Sequence, residues 1–163
     1  MPTGAVHVLF LSDRNAAYSL LAEAILRVEG NGRFRAFSAG LDPAAAATPE
    51  VTAFLAARHL PIDGLRPKSV AALEAEEPHF QFVIAVSPAA AKFARQHAWQ
   101  GNPVVADWSL DEDEPSMESA PSPWAIRDAF WTLSRRIRIF ASLPHRKATR
   151  GSLENRLHAL QAG

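Results

Sequence analysis

Strand-like apolar runs alternate with helical segments along most of this chain, and this alternation restricts the folds that it can adopt. The first run, AVHVLFL at residues 5–11, is almost continuously apolar, as expected for a strand that is covered on both faces. The next segment, residues 19–30, has apolar side chains at helical spacing and ends at Gly30. Buried strands separated by helices predict an α/β fold: a three-layer, four-stranded parallel sheet with helices on both faces.

The remaining elements follow from the same two patterns. We predict further strands at residues 34–40, 80–86 and 103–107, and helices that begin at Pro49, Val70 and Pro88 and that follow the apolar stripe Ile126, Phe130, Leu133, Ile137 and Phe140. Thr48, Ser69 and Ser87 precede three of these helices and are typical N-cap residues. We assign residues 1–163 to one domain, with residues 144–163 as a C-terminal tail or short helix.

Charge is balanced over the whole chain but unevenly placed. The formal net charge is +0, so no global field attracts the chain to nucleic acid, and a nucleic-acid role is disfavoured. Acidic residues concentrate at 107–118, and arginines concentrate after residue 126. No apolar run approaches the roughly 20 residues that span a bilayer, and no basic stretch precedes the first apolar run as in a signal peptide. We therefore expect no membrane association and a cytoplasmic location.

The chain contains no cysteine, which excludes disulfides, thiolate metal ligands and thiolate nucleophiles. Its six histidines show no pairing at helical spacing that indicates a metal site. We therefore predict neither a metal nor a cofactor.

The loop after the first strand is the candidate functional site. In parallel sheets the ligand crevice lies at the carboxyl ends of the strands, where the strand order reverses, and this loop leads directly into a helix N-terminus that favours an anion. We expect a phosphate or sulfate to be bound there. The predicted anion-binding residues are Asp13, Arg14, Asn15, Ala16, Ala17 and Ser19.

Several segments in order resemble the low-molecular-weight protein tyrosine phosphatases and their arsenate-reductase relatives. The matching segments are SDRNAAYS (12–19), AEAIL (22–26), FSAGL (37–41), residues 48–70, residues 80–93 and DWSLDEDEP (107–115). The resemblance covers about residues 5–143 and implies the same α/β fold. In that family a cysteine thiolate attacks phosphorus, an arginine further along the loop holds the phosphate oxygens, and an aspartate protonates the leaving oxygen.

Two of these three groups are replaced in this chain. Ser12 occupies the nucleophile position, and a hydroxyl is a far weaker acid than a thiol and needs an adjacent base. Tyr18 occupies the arginine position, where a neutral phenol cannot supply a charged bidentate clamp. Asp13 adds a negative charge to a loop that would hold a dianion. Arg14 either faces solvent, which we favour, or curls inward to replace the missing guanidinium.

The acidic segment and the tryptophans each leave two interpretations open. Asp113 is a possible vestigial general acid, although Glu114 precedes Pro115 where the family has its aspartate, and a solvated acidic surface is favoured. The four tryptophans either pack against the core, which is the commoner case, or line a recognition surface.

Three hypotheses follow from the resemblance. The favoured one is a catalytically inactive pseudophosphatase that binds an anion or a protein partner, with Tyr18 at the rim of the pocket. The alternatives are a weakly active phosphomonoester hydrolase that uses Ser12, and an engineered Cys-to-Ser replacement made to trap such an enzyme. Arsenate reduction is disfavoured because that reaction passes electrons through sulfur, and the chain has no cysteine.

Overall fold

The computed structural model of the chain describes residues 5–110, 122–143 and 150–162. Four parallel strands form one sheet: β1 (Val6–Ser12), β2 (Phe34–Gly40), β3 (Phe82–Ala85) and β4 (Val104–Asp107). Their order across the sheet is β2-β1-β3-β4. The helices are α1 (Tyr18–Glu29), α2 (Pro49–Ala57), α3 (Val70–Glu76), α4 (Pro88–Gln96), α5 (Pro123–Ser142) and α6 (Arg150–Ala162).

Helices cover both faces of the sheet, and successive side chains along a strand point alternately to one face and to the other. Val8 and Phe10 of β1 pack in the larger apolar cluster with α1 and α5, whereas Leu9 and Leu11 pack in the second cluster with α3 and α4. These four side chains have no exposed surface, which explains why the strand reads as an unbroken apolar run. The predicted three-layer α/β fold is confirmed.

The helix starts show which predicted caps are formed. The hydroxyl of Ser69 accepts a hydrogen bond from the Ala72 amide, and that of Ser87 accepts one from the Ala90 amide. The side chain of Thr48 makes no such bond, although Pro49 begins α2 as predicted. A proline at the first helical position leaves one fewer amide to satisfy, so α2 can begin without the side-chain cap.

The end of β4 is held against the last two helices by buried polar contacts. The indole Nε1 of Trp108, a fully buried side chain, donates to the Leu157 carbonyl in α6 at 2.9 Å. Arg136 of α5 donates from Nη1 to the Trp108 carbonyl and from Nη2 to the Gln161 carbonyl, both at 3.1 Å. These bonds connect α5, β4 and α6.

Two of the four tryptophans pack against the core, and the other two are exposed. Trp108 is buried, and Trp99 packs at the margin of the second cluster. Trp124 and Trp131, on α5, are 65% and 51% exposed. Within the described ranges, none of the helices combines the length and the apolar character that a bilayer crossing needs.

Candidate functional site

The candidate site lies at the end of β1, where the strand order reverses. β1 pairs with β2 on one side and with β3 on the other, so the chain leaves β1 in one direction and later crosses over it. Ser12 is the last residue of β1 and lies opposite Gly40, the last residue of β2. The loop of residues 13–17 then leads into α1 at Tyr18. This is the position at which an open parallel sheet offers a ligand crevice.

The Ser12 hydroxyl is part of a buried hydrogen-bond triangle. Its Oγ accepts from the Asn15 amide at 3.0 Å and lies 2.8 Å from the Ser19 Oγ. The Asn15 side-chain amide donates to the same Ser19 Oγ at 2.8 Å. None of the three residues has exposed surface. Neither of these partners of Ser12 is a base, because an amide N–H only donates and a serine hydroxyl is no more basic than Ser12 itself.

Asn15 holds the turn of the loop. Its φ of 50° lies in the left-handed region, where asparagine is among the residues best tolerated. Its Oδ1 accepts from the Lys68 backbone amide at 3.0 Å, which ties the loop to the segment before α3. Gly40 lets the two segments approach, since a Cβ there would lie 2.9 Å from the Asn15 Cβ and 3.0 Å from the Asn15 nitrogen.

Backbone bonds fix the loop from the other side. The Leu41, Asp42 and Ala44 amides donate to the carbonyls of Ser12, Asp13 and Arg14 at 3.2, 2.9 and 2.9 Å. The Thr48 amide donates to the Ala16 carbonyl at 2.9 Å. The loop is therefore a rigid part of the fold rather than an independent flap.

A buried charged cluster lies one helical turn beyond this triangle. Glu23 of α1 is only 4% exposed, and its carboxylate accepts from the Ser38 hydroxyl at 2.5 Å and from Arg27 at 2.6 Å. The Lys68 Nζ lies 4.0 Å from the Glu23 carboxylate and donates to the Arg66 carbonyl at 2.8 Å. Burial lowers the pKa of Lys68 below the usual value of a lysine, the nearby Glu23 carboxylate opposes this effect, and Arg66 and Arg27 add to it.

Tyr18 does not form a rim, contrary to the sequence-based prediction. Its side chain is 2% exposed and belongs to the larger apolar cluster. It lines a cavity of about 180 Å³ together with residues of α5, among them Asp128, Thr132 and Arg136. A phenol fits this position because its ring joins the apolar core while its polar end can meet the polar wall.

The two charged side chains of the loop are engaged outside it. Asp13 accepts from the Ser87 hydroxyl at 2.5 Å, at the beginning of α4, where a helix N-terminus favours negative charge. Its carboxylate is therefore directed to α4, which corrects the prediction of a negative charge inside the loop. Arg14 makes an ion pair with Asp42 at 2.7 Å, and 32% of its side chain is exposed.

The structure brings together most of the predicted anion-binding residues. Asn15, Ala16, Ala17 and Ser19 are all buried around the start of α1. Asp113, the predicted vestigial acid, lies outside the described residues.

Sequence reasoning missed Glu23, Ser38, Gly40 and Lys68. Glu23 carried a usable signal, because a carboxylate on the apolar side of an amphipathic helix, four residues before Arg27, requires a buried partner. Lys68 and Ser38 approach from distant parts of the chain and gave no local signal.

Comparisons with known proteins agree with this geometry. The family model described as "low molecular weight phosphotyrosine protein phosphatase" matches residues 7–107, which is more than half of the chain. No match is found among curated protein sequences.

Several solved structures have the same fold. A low molecular weight protein tyrosine phosphatase from T. tengcongensis is 20% identical, with a TM-score of 0.65, and the match covers 85% of this chain and 100% of that one. A cysteine-to-serine mutant of the arginine phosphatase YwlE of Bacillus subtilis, with a phosphorylated active-site serine, is 16% identical, with a TM-score of 0.67 and coverage of 89% and 99%.

A thioredoxin-dependent arsenate reductase from Corynebacterium glutamicum has 22% identity and a TM-score of 0.63, and 85% of this chain spans 61% of that protein. At these identities the neighbours show the fold alone, whereas the family model also matches the strand, the loop and the helix that hold Ser12. The chain therefore belongs to the low molecular weight phosphotyrosine protein phosphatase family.

Proposed function

We propose that this chain is a catalytically inactive member of its family, a pseudophosphatase that serves as a binding module. The observation that carries the proposal is the group at the nucleophile position: Ser12, a fully buried hydroxyl that is hydrogen-bonded to the Asn15 amide and to Ser19, stands where the family has a thiol. A hydroxyl is a far weaker acid than a thiol, so the loop lacks the thiolate that attacks phosphorus in the family.

The second group that this chain lacks is the cation that would hold the phosphate oxygens. Tyr18 replaces it with a neutral ring that is directed into the apolar cluster and the cavity beside α5. Arg14 is paired with Asp42. In phosphoryl transfer an arginine that stabilises the transition state contributes about 10³–10⁵ in rate, so its loss alone would reduce turnover by about that factor.

The restoration experiment tests this explanation. The double variant Ser12→Cys, Tyr18→Arg should hydrolyse p-nitrophenyl phosphate at least about tenfold faster than the wild type, because it regains both the thiolate and the charged clamp. Each single variant should stay close to the wild-type rate. Failure of the folded double variant to gain activity would show that these two positions do not account for the loss.

The binding part of the proposal concerns a small anion at the loop. It is supported by the direction of Asp13, whose carboxylate is engaged at α4, and by the absence of acidic residues from the first turn of α1. Millimolar phosphate or sulfate should raise the melting temperature of the wild type, since a ligand that binds only the native state stabilises it. An unchanged melting temperature would leave a protein partner as the ligand.

A second candidate function is a phosphoryl acceptor at Ser12. A serine at the active site carries a phosphoryl group in the cysteine-to-serine mutant of the arginine phosphatase YwlE, a protein of this fold. After incubation with p-nitrophenyl phosphate, the intact mass of the wild type would then increase by one phosphoryl group, and the mass of the Ser12→Ala variant would stay the same. Our proposal expects no increase in either protein.

A further inference from the structure

An apolar groove crosses the helical layer away from Ser12. It lies between the C-terminal half of α1, the end of α2 and the middle of α5, and has a volume of about 260 Å³. Its lining includes Val28, Leu60, Phe130 and Trp131. Val28 and Trp131 are 49% and 51% exposed, so apolar surface of two different helices faces solvent at one place.

An open apolar groove between helices is the kind of surface that takes the apolar side of an amphipathic helix. We call Val28, Trp131 and the groove between them the α1/α5 face.

An arginine is fixed at the edge of this groove by stacking. The Arg58 guanidinium lies over the rings of Phe54, Phe130 and Trp131, at 4.6, 5.2 and 5.6 Å from their centroids. Because a guanidinium has five N–H donors, a cation that lies over aromatic rings can still donate to a carboxylate. Arg58 is thus a preorganised cation beside an apolar cleft.

The charges around the α1/α5 face have one predominant sign. Two arginines, Arg58 and Arg138, line the groove together with one acidic residue, Glu29. Glu29 is already paired with Arg138 at 3.2 Å. The net charge of this set is +1, from two positive groups and one negative group, and the remaining positive charge is that of Arg58. The complementary surface is therefore acidic as well as apolar.

We propose that the α1/α5 face binds an acidic amphipathic helix of a partner protein. The apolar residues of that helix would fill the groove beside Trp131, and its carboxylates would meet Arg58 and Arg138. A symmetric dimer through this face fits less well, because it would place each arginine set against its own copy. The face belongs to helices that do not include Ser12, so this proposal goes beyond the pseudophosphatase assignment and can fail independently of it.

Single-stranded nucleic acid is the other polyanion that arginine and tryptophan can bind. The observations favour a peptide, because Arg58 lies over the Trp131 ring, on which a base would need to stack, and Phe130 meets that ring edge-on at 5.6 Å. The groove itself has an aliphatic wall that includes Val28 and Leu60.

A displayed library of helix-biased random peptides, each about 15 residues long, tests the proposal. Selection on the wild-type protein should enrich acidic sequences with apolar residues at positions i, i+3 or i+4, and i+7. The best peptide should lose at least about tenfold in affinity for Trp131→Ala and for Arg58→Glu, as is typical of a buried aromatic or arginine anchor. Trp124→Ala is the matched control, since Trp124 is on the same helix, is 65% exposed and does not line the groove.

Four outcomes would overturn the proposal. These are enrichment of basic or uncharged peptides, equal affinity for the wild type and a folded Arg58→Glu variant, no enrichment at all, and tighter binding of a single-stranded oligonucleotide than of the best peptide. Sedimentation at increasing concentration adds one more check, because dimerisation that Trp131→Ala abolishes would make a second copy the occupant.

Discussion

Removal of the Ser12 hydroxyl should destabilise the fold without changing catalysis. Ser12→Ala deletes the acceptor of the buried Asn15 amide, while the Ser19 hydroxyl keeps its bond from the Asn15 side chain. One buried donor without this acceptor costs about 1–3 kcal/mol. For a chain of this length each kcal/mol lowers the melting temperature by about 2–4 °C, so we expect a decrease of about 2–12 °C.

Thermal unfolding followed by circular dichroism measures this effect. Ser142→Ala is the control, because Ser142 is exposed at the end of α5 and its hydroxyl bonds only locally, to the Ile139 carbonyl. That variant should lie within about 0.5 kcal/mol of the wild type. A melting temperature for Ser12→Ala equal to that of the control would refute the structural role that we give to the hydroxyl.

Three further predictions concern Gly40 beside the loop, Lys68 in the buried charged cluster, and the contact between Trp108 and α6. Gly40→Ala should destabilise the protein by about 1–3 kcal/mol in urea unfolding, because the new methyl group would meet the backbone of Asn15, and unchanged stability would contradict this close approach. Glu23→Gln should lower the pKa of Lys68 further, measured by NMR titration of its side chain, since the Glu23 carboxylate raises that pKa; a rise would contradict the assignment. Trp108→Phe should increase amide hydrogen exchange in α6 by removing the bond to Leu157, and equal exchange would show that this bond does not hold the helix.

The pH dependence of Lys68 has a defined sign. Its folded pKa is lowered, so the unfolded chain binds more protons between the folded and the unfolded pKa values. The contribution of Lys68 to stability is thus unfavourable below its folded pKa, and this cost is relieved as the pH rises through that value towards the unfolded pKa.

The parts of the fold that depend on local patterns were predictable from the sequence. The strand β1 and the helix caps Ser69 and Ser87 are set by side-chain period and by hydroxyl chemistry within a few residues. The position of the loop followed from the alternation of strands and helices, because parallel sheets place such a loop at the carboxyl edge.

The side-chain directions at the site were not predictable, because their partners are distant in sequence. Asp13 binds Ser87 across 74 residues, and Arg14 binds Asp42 across 28. From its place in the sequence, Asp13 was predicted to add a negative charge inside the loop. In the structure its carboxylate accepts a hydrogen bond from Ser87 at the start of α4 instead. The burial of Tyr18 depends likewise on α5, which packs closely on α1 and begins more than 100 residues later.

The hydrolysis of p-nitrophenyl phosphate by the wild type, compared with Ser12→Ala between pH 5 and 8, tests the central claim most directly. We predict that both proteins hydrolyse the ester at the rate of buffer alone. A serine hydroxyl does not supply the anion that a thiol supplies at the nucleophile position, and the neutral ring of Tyr18 cannot act as the cation that phosphoryl transfer requires. Wild-type turnover that disappears in a folded Ser12→Ala variant would contradict the account.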